Sequence, residues 1–521
     1  MTIFSRLFAL AILAFSVSLS FAADKKLPTE DDYYRLISFP LPPGAVLEVG
    51  GLDWYDAQQE RLLVCTRRGE VWVLDNVYAD PPALEGGKYK QLDAQGKPVE
   101  IDAEPAHVVS FKRMLTGLHE PLGMVVRPDG IIMAQRTELT RVRDTDGDDR
   151  IDIVECLNNE WEVSGNYHEY AFGPKLDREG NLWVTLNRPF GGGQEKQGYW
   201  RGWAIKVDQA GKMQPVCPGL RSPCGLGTNP AGDMFYTDNQ GDWTAVCKLS
   251  HLKPGLFQGE AVGLDSTYHP LSTMKHPGKG MPKSGLLWAD AAKEMPWLVP
   301  PAVWFPYPEM GRSHSDVQAD LTVGKFGPFS GQLFVGDQGN AIITRVFLEK
   351  VGGEYQGACF PFRKGLGSGV LRMCWGKDGS MFVGGTNRGW GGGSKPYSLE
   401  RLVWTGQTPF EVHEMRARPN GFELTFTSPV DPVTAGDIKS YAMKSWTYHY
   451  HAAYGDKPHN EQPLKITKAT VGAGLKSVIL EIDGLQPFYV HELRLAGVRN
   501  AGGDPLLHNV GYYTLQKIPQ P

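Results

Sequence analysis

Residues 144–152, DTDGDDRID, place carboxylates at positions 1, 3, 5 and 9 of a short loop, and Glu155 falls at position 12. Oxygen donors at that spacing can wrap a hard cation, which makes Asp144, Asp146, Asp148, Asp152 and Glu155 candidate calcium ligands. Position 6, where a helix-flanked loop of this type carries glycine, is Asp149, and no long helical pattern flanks the segment. The expectation is a structural calcium loop set into a β-hairpin. The alternative is a solvated acidic turn, in which the carboxylates would repel one another without a counter-ion.

A second group of residues could carry acid–base or cofactor chemistry. His168 follows Gly165-Asn166-Tyr167, and an imidazole is the side chain best poised to take a proton near neutral pH. Arg221, in GLRSPCGL, could clamp carboxylates or polarise a quinone oxygen. Asp238 and Gln240 lie in DNQGDW beside Trp243, a cluster suited to a sugar or a flat cofactor, with turn chemistry as the alternative. Arg312, His314 and Asp316 alternate, so a strand would put a cation, a titratable ring and a carboxylate on one face. A buried structural network would use the same residues. Arg372 holds the matching place later in the chain, where Asp337-Gln338 and Asn387-Arg388 also end strands. His449 and His451 share a strand face and could ligate a metal, but two ligands are not a site and the sequence shows no third.

The elements that must position these residues repeat. Six stretches, starting at Gly50, Gly117, Tyr167, Gly219, Gly324 and Gly369, share a small-residue lead-in, a turn with Gly and Asp, Asn or Pro, and an alternating strand with a polar end. Such units predict an all-β fold, a six-bladed β-propeller with one unit per blade. Equivalent strand ends would then gather His168, Arg221, Asp238, Arg312, His314 and Arg372 at one mouth of a central channel. From Phe410 the strands lengthen and alternate strictly, which predicts a C-terminal immunoglobulin- or fibronectin-like β-sandwich. The expected organisation is a signal peptide over 1–22, a lead-in over 23–48, the propeller over 49–408 and the sandwich over 409–521. A Pro-rich insertion, roughly 249–308, is either a loop covering a site or a mobile segment.

The 62 glycines and 38 prolines fit a turn-rich β protein, and a net charge of −5 gives no basic excess for nucleic acid or anionic lipid. Arg6, an apolar run over 7–19 and Ser20-Phe21-Ala22 predict export to the periplasm or medium, with no stable membrane span after cleavage. Seven cysteines leave at least one unpaired, and Cys217–Cys224 or Cys224–Cys247 could bridge. No C-x-x-C-H occurs, which excludes covalent c-type haem.

GLRSPCGL followed by DMFYTDN resembles the soluble glucose and sorbosone dehydrogenase family that depends on pyrroloquinoline quinone (PQQ). His168, with Phe172-Gly173-Pro174 and the strand starting Gly180-Asn181-Leu182-Trp183, matches the family's arrangement around its catalytic histidine, while Ser222 stands where the family has Asn. The resemblance implies that His168 is the base for hydride transfer from a carbohydrate hydroxyl to PQQ, that Arg221 contacts the cofactor, and that an external acceptor takes the electrons. The DTDGD hairpin, the TDNQGDW strand end and the terminal YYTL also resemble secreted propeller proteins of planctomycete and verrucomicrobial bacteria called membrane-bound dehydrogenases. Two other readings stay open. One is a carbohydrate-active lyase or hydrolase using His168, His314 and Asp316, and the other is a non-catalytic carbohydrate- or protein-binding propeller.

Overall fold

The computed structural model describes residues 27–93, 95–190 and 198–520, so the expected signal segment lies outside the described residues. Within the repeats, turns tie an inner strand to the next. In the third, Asp177 Oδ1 accepts Asn181 N at 2.8 Å, while Gly180 N donates to Asp177 O at 3.1 Å. The result is a β-propeller arrangement whose innermost strands are Val49–Trp54, Met124–Arg127, Ala171–Leu176, Gly225–Thr228, His314–Ala319 and Val370–Trp375.

The inner strands approach too closely for side chains at some positions. A Cβ on Gly123 would lie 2.2 Å from Gly173 O, and one on Gly225 would lie 1.8 Å from Ser315 O. Ser315 Oγ donates to Val370 O at 2.6 Å, and Val49 packs on Gly384, which brings the last unit against the first. Residues 23–48 are more than a lead-in. Tyr34–Ser38 pairs antiparallel with Tyr397–Trp404 and is the outer strand of the last sheet, so the two ends of the ring share one ladder.

Six repeats predict six separate blades, and the structure has five free-standing four-stranded sheets. The unit from His314 to Arg363 is not separate. Its ten-residue outer strand, Glu354–Arg363, offers a long edge, and an unpaired edge is a template for another strand. Val510–Leu515 pairs with it through Gly357↔Thr514 and Cys359↔Tyr512, and the ladder runs on into an eleven-stranded sheet. The C-terminal strands are therefore continuous with this propeller unit through one ladder. His459–Val471 pairs its first half with Ala442–Thr447 and its second half with Ser477–Asp483. Phe360, Phe422, Leu480 and Tyr513 are buried together in the core these strands share with the propeller.

The Pro-rich insertion is ordered structure. It carries a 3-10 helix, Ala261–Tyr268, an α-helix, Trp288–Glu294, and Val303–Trp304, the fourth strand of its sheet. Leu286–Leu287 pairs with His449–Tyr450, joining the insertion to the C-terminal strands. All seven cysteines are free thiols, including Cys217, Cys224 and Cys247. Among the described residues no helix is long and apolar enough to cross a membrane.

Candidate functional site

At one end of the channel, the segments leading into the inner strands and the ends of the second strands enclose a cavity of about 490 Å³. His168, Arg221, Gln240 and Arg312 line it. Tyr170, Phe172 and Phe190 form its walls, and Tyr167, Trp390 and Tyr454, each more than half exposed, stand among its lining residues.

His168 is held by its backbone: Asn166 Oδ1 accepts its N–H at 3.0 Å, and Asn187 Nδ2 donates to its carbonyl at 2.6 Å. The ring lies between Tyr167 and Phe190, with centroid separations of 3.9 and 4.4 Å. Its Nδ1 is buried without a hydrogen-bond partner. Burial first, and then the charges of Arg388, Arg221, Arg136 and Arg188, push its pKa down to about 4. The imidazole is uncharged at neutral pH, with its Nδ1 unpartnered.

Arg221 is almost fully buried, its guanidinium 4.3 Å from the Phe190 ring centre and 5.2 Å from that of Tyr454. Only glycine fits beneath it, since a Cβ on Gly241 would lie 1.7 Å from Arg221 Nε. Asp238 is not a lining residue. It is buried below the cavity, where its two oxygens accept the N–H groups of Arg221 at 2.9 Å and Ser222 at 2.7 Å. Burial raises its pKa, against the charge of Lys248 and these two N–H groups. Arg312 extends to the mouth and donates to Tyr307 Oη at 3.2 Å.

His314 and Asp316 do not join Arg312 at the mouth. The ladder is irregular between His314 and Val317, so the simple alternation expected of this strand breaks down. His314 is completely buried, stacked on Phe305 at 3.7 Å, and burial pushes its pKa down to about 4. Asp316 lies in the channel waist, accepting from Met373 N at 2.9 Å, with Lys175 Nζ 3.6 Å away. Arg372 shares that waist. Its guanidinium donates to Leu122 O and Leu371 O, both at 2.7 Å, and joins inner strands instead of lining the mouth.

Three arginines escaped the sequence reading. Arg67, Arg136 and Arg188 each stand one or two residues past the end of a second strand, the place Arg388 holds in the last unit. The repeat itself carries that signal, an arginine just past the second strand in four units. Arg67 pairs with Glu48 and Glu120, Arg136 with Glu120, and Arg188 with Asp242 and Glu260. Among the described residues Arg221, Arg312 and Arg388 make no ion pair and no carboxylate lines the cavity. Tyr454 was missed because it comes from the C-terminal strands, some 200 residues beyond the segment it covers.

The acidic hairpin divides. Asp144, Asp146 and Asp152 each bring an oxygen within 4.8 Å of the others. Asp149, at the position expected to need glycine, adopts φ +64° and pairs with Arg61 and Lys112. Asp148 instead accepts Arg150 N at 2.8 Å, and Glu155 pairs with Arg141 and Arg143, so neither belongs to the triad.

Residues 108–265 match a family model described as a domain of unknown function, DUF7133. No curated protein matches the chain. Among solved structures, a putative oxidoreductase (glucose dehydrogenase) from Thermus thermophilus is similar at 14% identity, with a TM-score of 0.45, over 71% of this chain and 100% of that one. The PQQ-bound aldose sugar dehydrogenase of Streptomyces coelicolor is similar at 12% identity and a TM-score of 0.43, over 73% and 99%. A Trichoderma reesei protein of carbohydrate-active enzyme family AA12 gives 11% and 0.47, over 73% and 98%.

Proposed function

We propose that this protein is an exported sugar dehydrogenase-like oxidoreductase, with PQQ and a carbohydrate meeting in the cavity beside His168. One observation carries the reading: a neutral, unpartnered imidazole shares an aromatic cavity with three arginines that have no carboxylate partner among the described residues. PQQ is flat and carries carboxylates, so guanidinium groups and ring faces are the groups that suit it. The unpartnered Nε of Arg221 and Nδ1 of His168 are buried polar atoms awaiting such a ligand.

In this reading Arg221, Arg312 and Arg388 hold the carboxylates, Gln240 supplies a hydrogen bond, and the exposed rings of Tyr167 and Trp390 stack on a sugar. When bound, PQQ supplies an electron-poor quinone that takes up the hydride from the substrate carbon. His168 takes the proton of the substrate hydroxyl, and bound carboxylates would offset the arginines that depress its basicity. Asp238 is a positioning residue for Arg221, and Arg372 and Asp316 are structural. The electrons leave to an external acceptor.

Calcium at Asp144, Asp146 and Asp152 is part of the proposal, as a structural ion. So are export after loss of 1–22, a six-fold count of propeller units in which 314–363 is the merged one, a sandwich-like role for the C-terminal strands, and kinship with the secreted planctomycete-type propellers. A hydrolase built on paired carboxylates gains no support from this lining. A lyase acting on an acidic sugar would draw on the same arginines and imidazole. PQQ titration followed by an aldose screen with an artificial acceptor separates the two. Saturable PQQ binding with aldose-dependent reduction supports the dehydrogenase, and uronate cleavage without PQQ supports the lyase.

A further inference from the structure

The loop that lays Tyr454 over Arg221 carries a side-chain cluster that the cavity does not use. Between His449–Tyr450 and His459–Val471 the chain doubles back and brings His449, Asp456 and His459 together. One ligand atom from each lies within 4.8 Å of the others. His459 Nε2 is 2.9 Å from Asp456 Oδ1, and His449 Nδ1 is 3.5 Å from Asp456 Oδ2. A third imidazole stands close by, His451, whose Nε2 lies 3.9 Å from Asp456 Oδ1 and donates to Gly455 O at 3.1 Å, so it packs beside the cluster without joining it. All four residues are partly buried or buried at the side chain, the carboxylate being 8% exposed.

The backbone holds this cluster in place without help from an ion. Asp456 N donates to Ala245 O at 2.8 Å, Gly455 N to Gly241 O at 3.0 Å, and Trp243 N to His451 O at 3.1 Å. On the other side, Leu287 pairs with His449, and Ala452 N donates to Ser284 Oγ at 2.9 Å. The ligands are therefore preorganised by two separate parts of the chain, the fourth sheet and the Pro-rich insertion. Ligand atoms around a tetrahedral zinc ion sit about 2.0–2.2 Å from the metal, so small side-chain rotations would close this set on one.

We propose that His449, Asp456 and His459, with a water in the fourth position, bind one divalent transition-metal ion of the zinc type. Imidazole nitrogen with a single carboxylate is the donor set that such ions favour, whereas the all-oxygen hairpin suits calcium. The ion has a structural consequence. His449 begins the loop and Asp456 and His459 end it, so coordination staples both ends of the segment whose tip is Tyr454. That tip forms a bridge to Asp242 and covers Arg221. The metal would fix one wall of the cavity, whichever ligand the cavity takes.

The test uses the full chain without an affinity tag, stripped with a chelator and titrated with Co²⁺ as a visible probe. The expected result is one Co²⁺ per chain with the intense visible bands of tetrahedral coordination, displaced by Zn²⁺. His459→Ala and the milder His449→Gln should each weaken binding at least tenfold, with their folding checked by circular dichroism. Zn²⁺ should also slow proteolytic cleavage within 449–459 in the native protein and not in the variants. If the native chain binds no Co²⁺, or binds it as tightly as a folded His459→Ala chain does, the cluster is a hydrogen-bonded network without an ion and the proposal is wrong.

Discussion

Asp238 and Asp337 occupy the same place in consecutive units and do the same work. Asp238 accepts the N–H groups of Arg221 and Ser222 at 2.9 and 2.7 Å, and Asp337 Oδ2 accepts those of Arg312 and Ser313 at 2.8 and 2.6 Å. In both, a buried carboxylate at the end of a second strand fixes the turn that presents an arginine to the cavity. Removing it leaves two buried donors unpaired, each a loss of about 1–3 kcal/mol. Asp238→Ala should therefore destabilise the protein by about 3 kcal/mol in denaturant melts and weaken binding of any anionic ligand at Arg221. A variant as stable as the native chain would show that the turn holds itself.

His168 sets the pH dependence of turnover. Its pKa is about 4 in the ligand-free chain and rises as bound carboxylates offset the arginines, so the acid limb of turnover should fall between about 4 and the ordinary 6.5 of imidazole. Burial and the arginines cause the depression, so Arg388→Ala should move the acid limb to higher pH. His168→Ala should lower kcat by roughly 10²–10⁴-fold while ligand binding persists. An acid limb unmoved in Arg388→Ala would remove His168 from the profile.

Stability should respond to pH from both sides. Burial pushes His314 and His491 down to about 4, below the ordinary 6.5, so the folded state binds fewer protons than the unfolded one. Their contribution is lost as pH falls from about 6.5 towards 4. His508 runs the other way. Burial would lower it, but the carboxylates of Glu411 and Glu30, 2.6 and 3.0 Å away, raise it to about 9. Its contribution is complete below about 6.5 and is lost as pH rises through 9. Melting temperature against pH should show that alkaline loss in the native chain and a flatter alkaline limb in His508→Ala.

The acidic hairpin gives a further prediction. If calcium sits on Asp144, Asp146 and Asp152, EGTA should lower the melting temperature and Asp144→Asn should abolish that sensitivity. Glu155→Gln should leave it intact, because Glu155 is engaged by Arg141 and Arg143. Equal melting with and without EGTA would identify the hairpin as a solvated turn.

The repeat made the propeller and the location of the cavity legible, because strand length, turn glycines and polar strand ends are local features. His168, Arg221 and Arg312, three of the six strand-end residues the pattern gathers, line one cavity. What it could not reveal depends on contacts distant in sequence. Tyr34–Ser38 carries no repeat pattern, yet it completes the last sheet. The bulge in His314–Ala319 defeats strict alternation, so His314 stacks on Phe305 away from the mouth. His459 and Asp456 join His449 only because a loop doubles back, which spacing along a strand does not disclose.

The central claim is that the arginine-rich cavity beside His168 takes PQQ and presents it to a sugar. Titrating the chain with PQQ in the presence of calcium, and following the cofactor's absorption as aldoses are added, tests it most directly. The expected result is stoichiometric binding that Arg221→Ala weakens at least tenfold, and aldose-dependent bleaching that is absent in His168→Ala. No saturable PQQ binding to the folded native chain, or equal binding by Arg221→Ala, would contradict it.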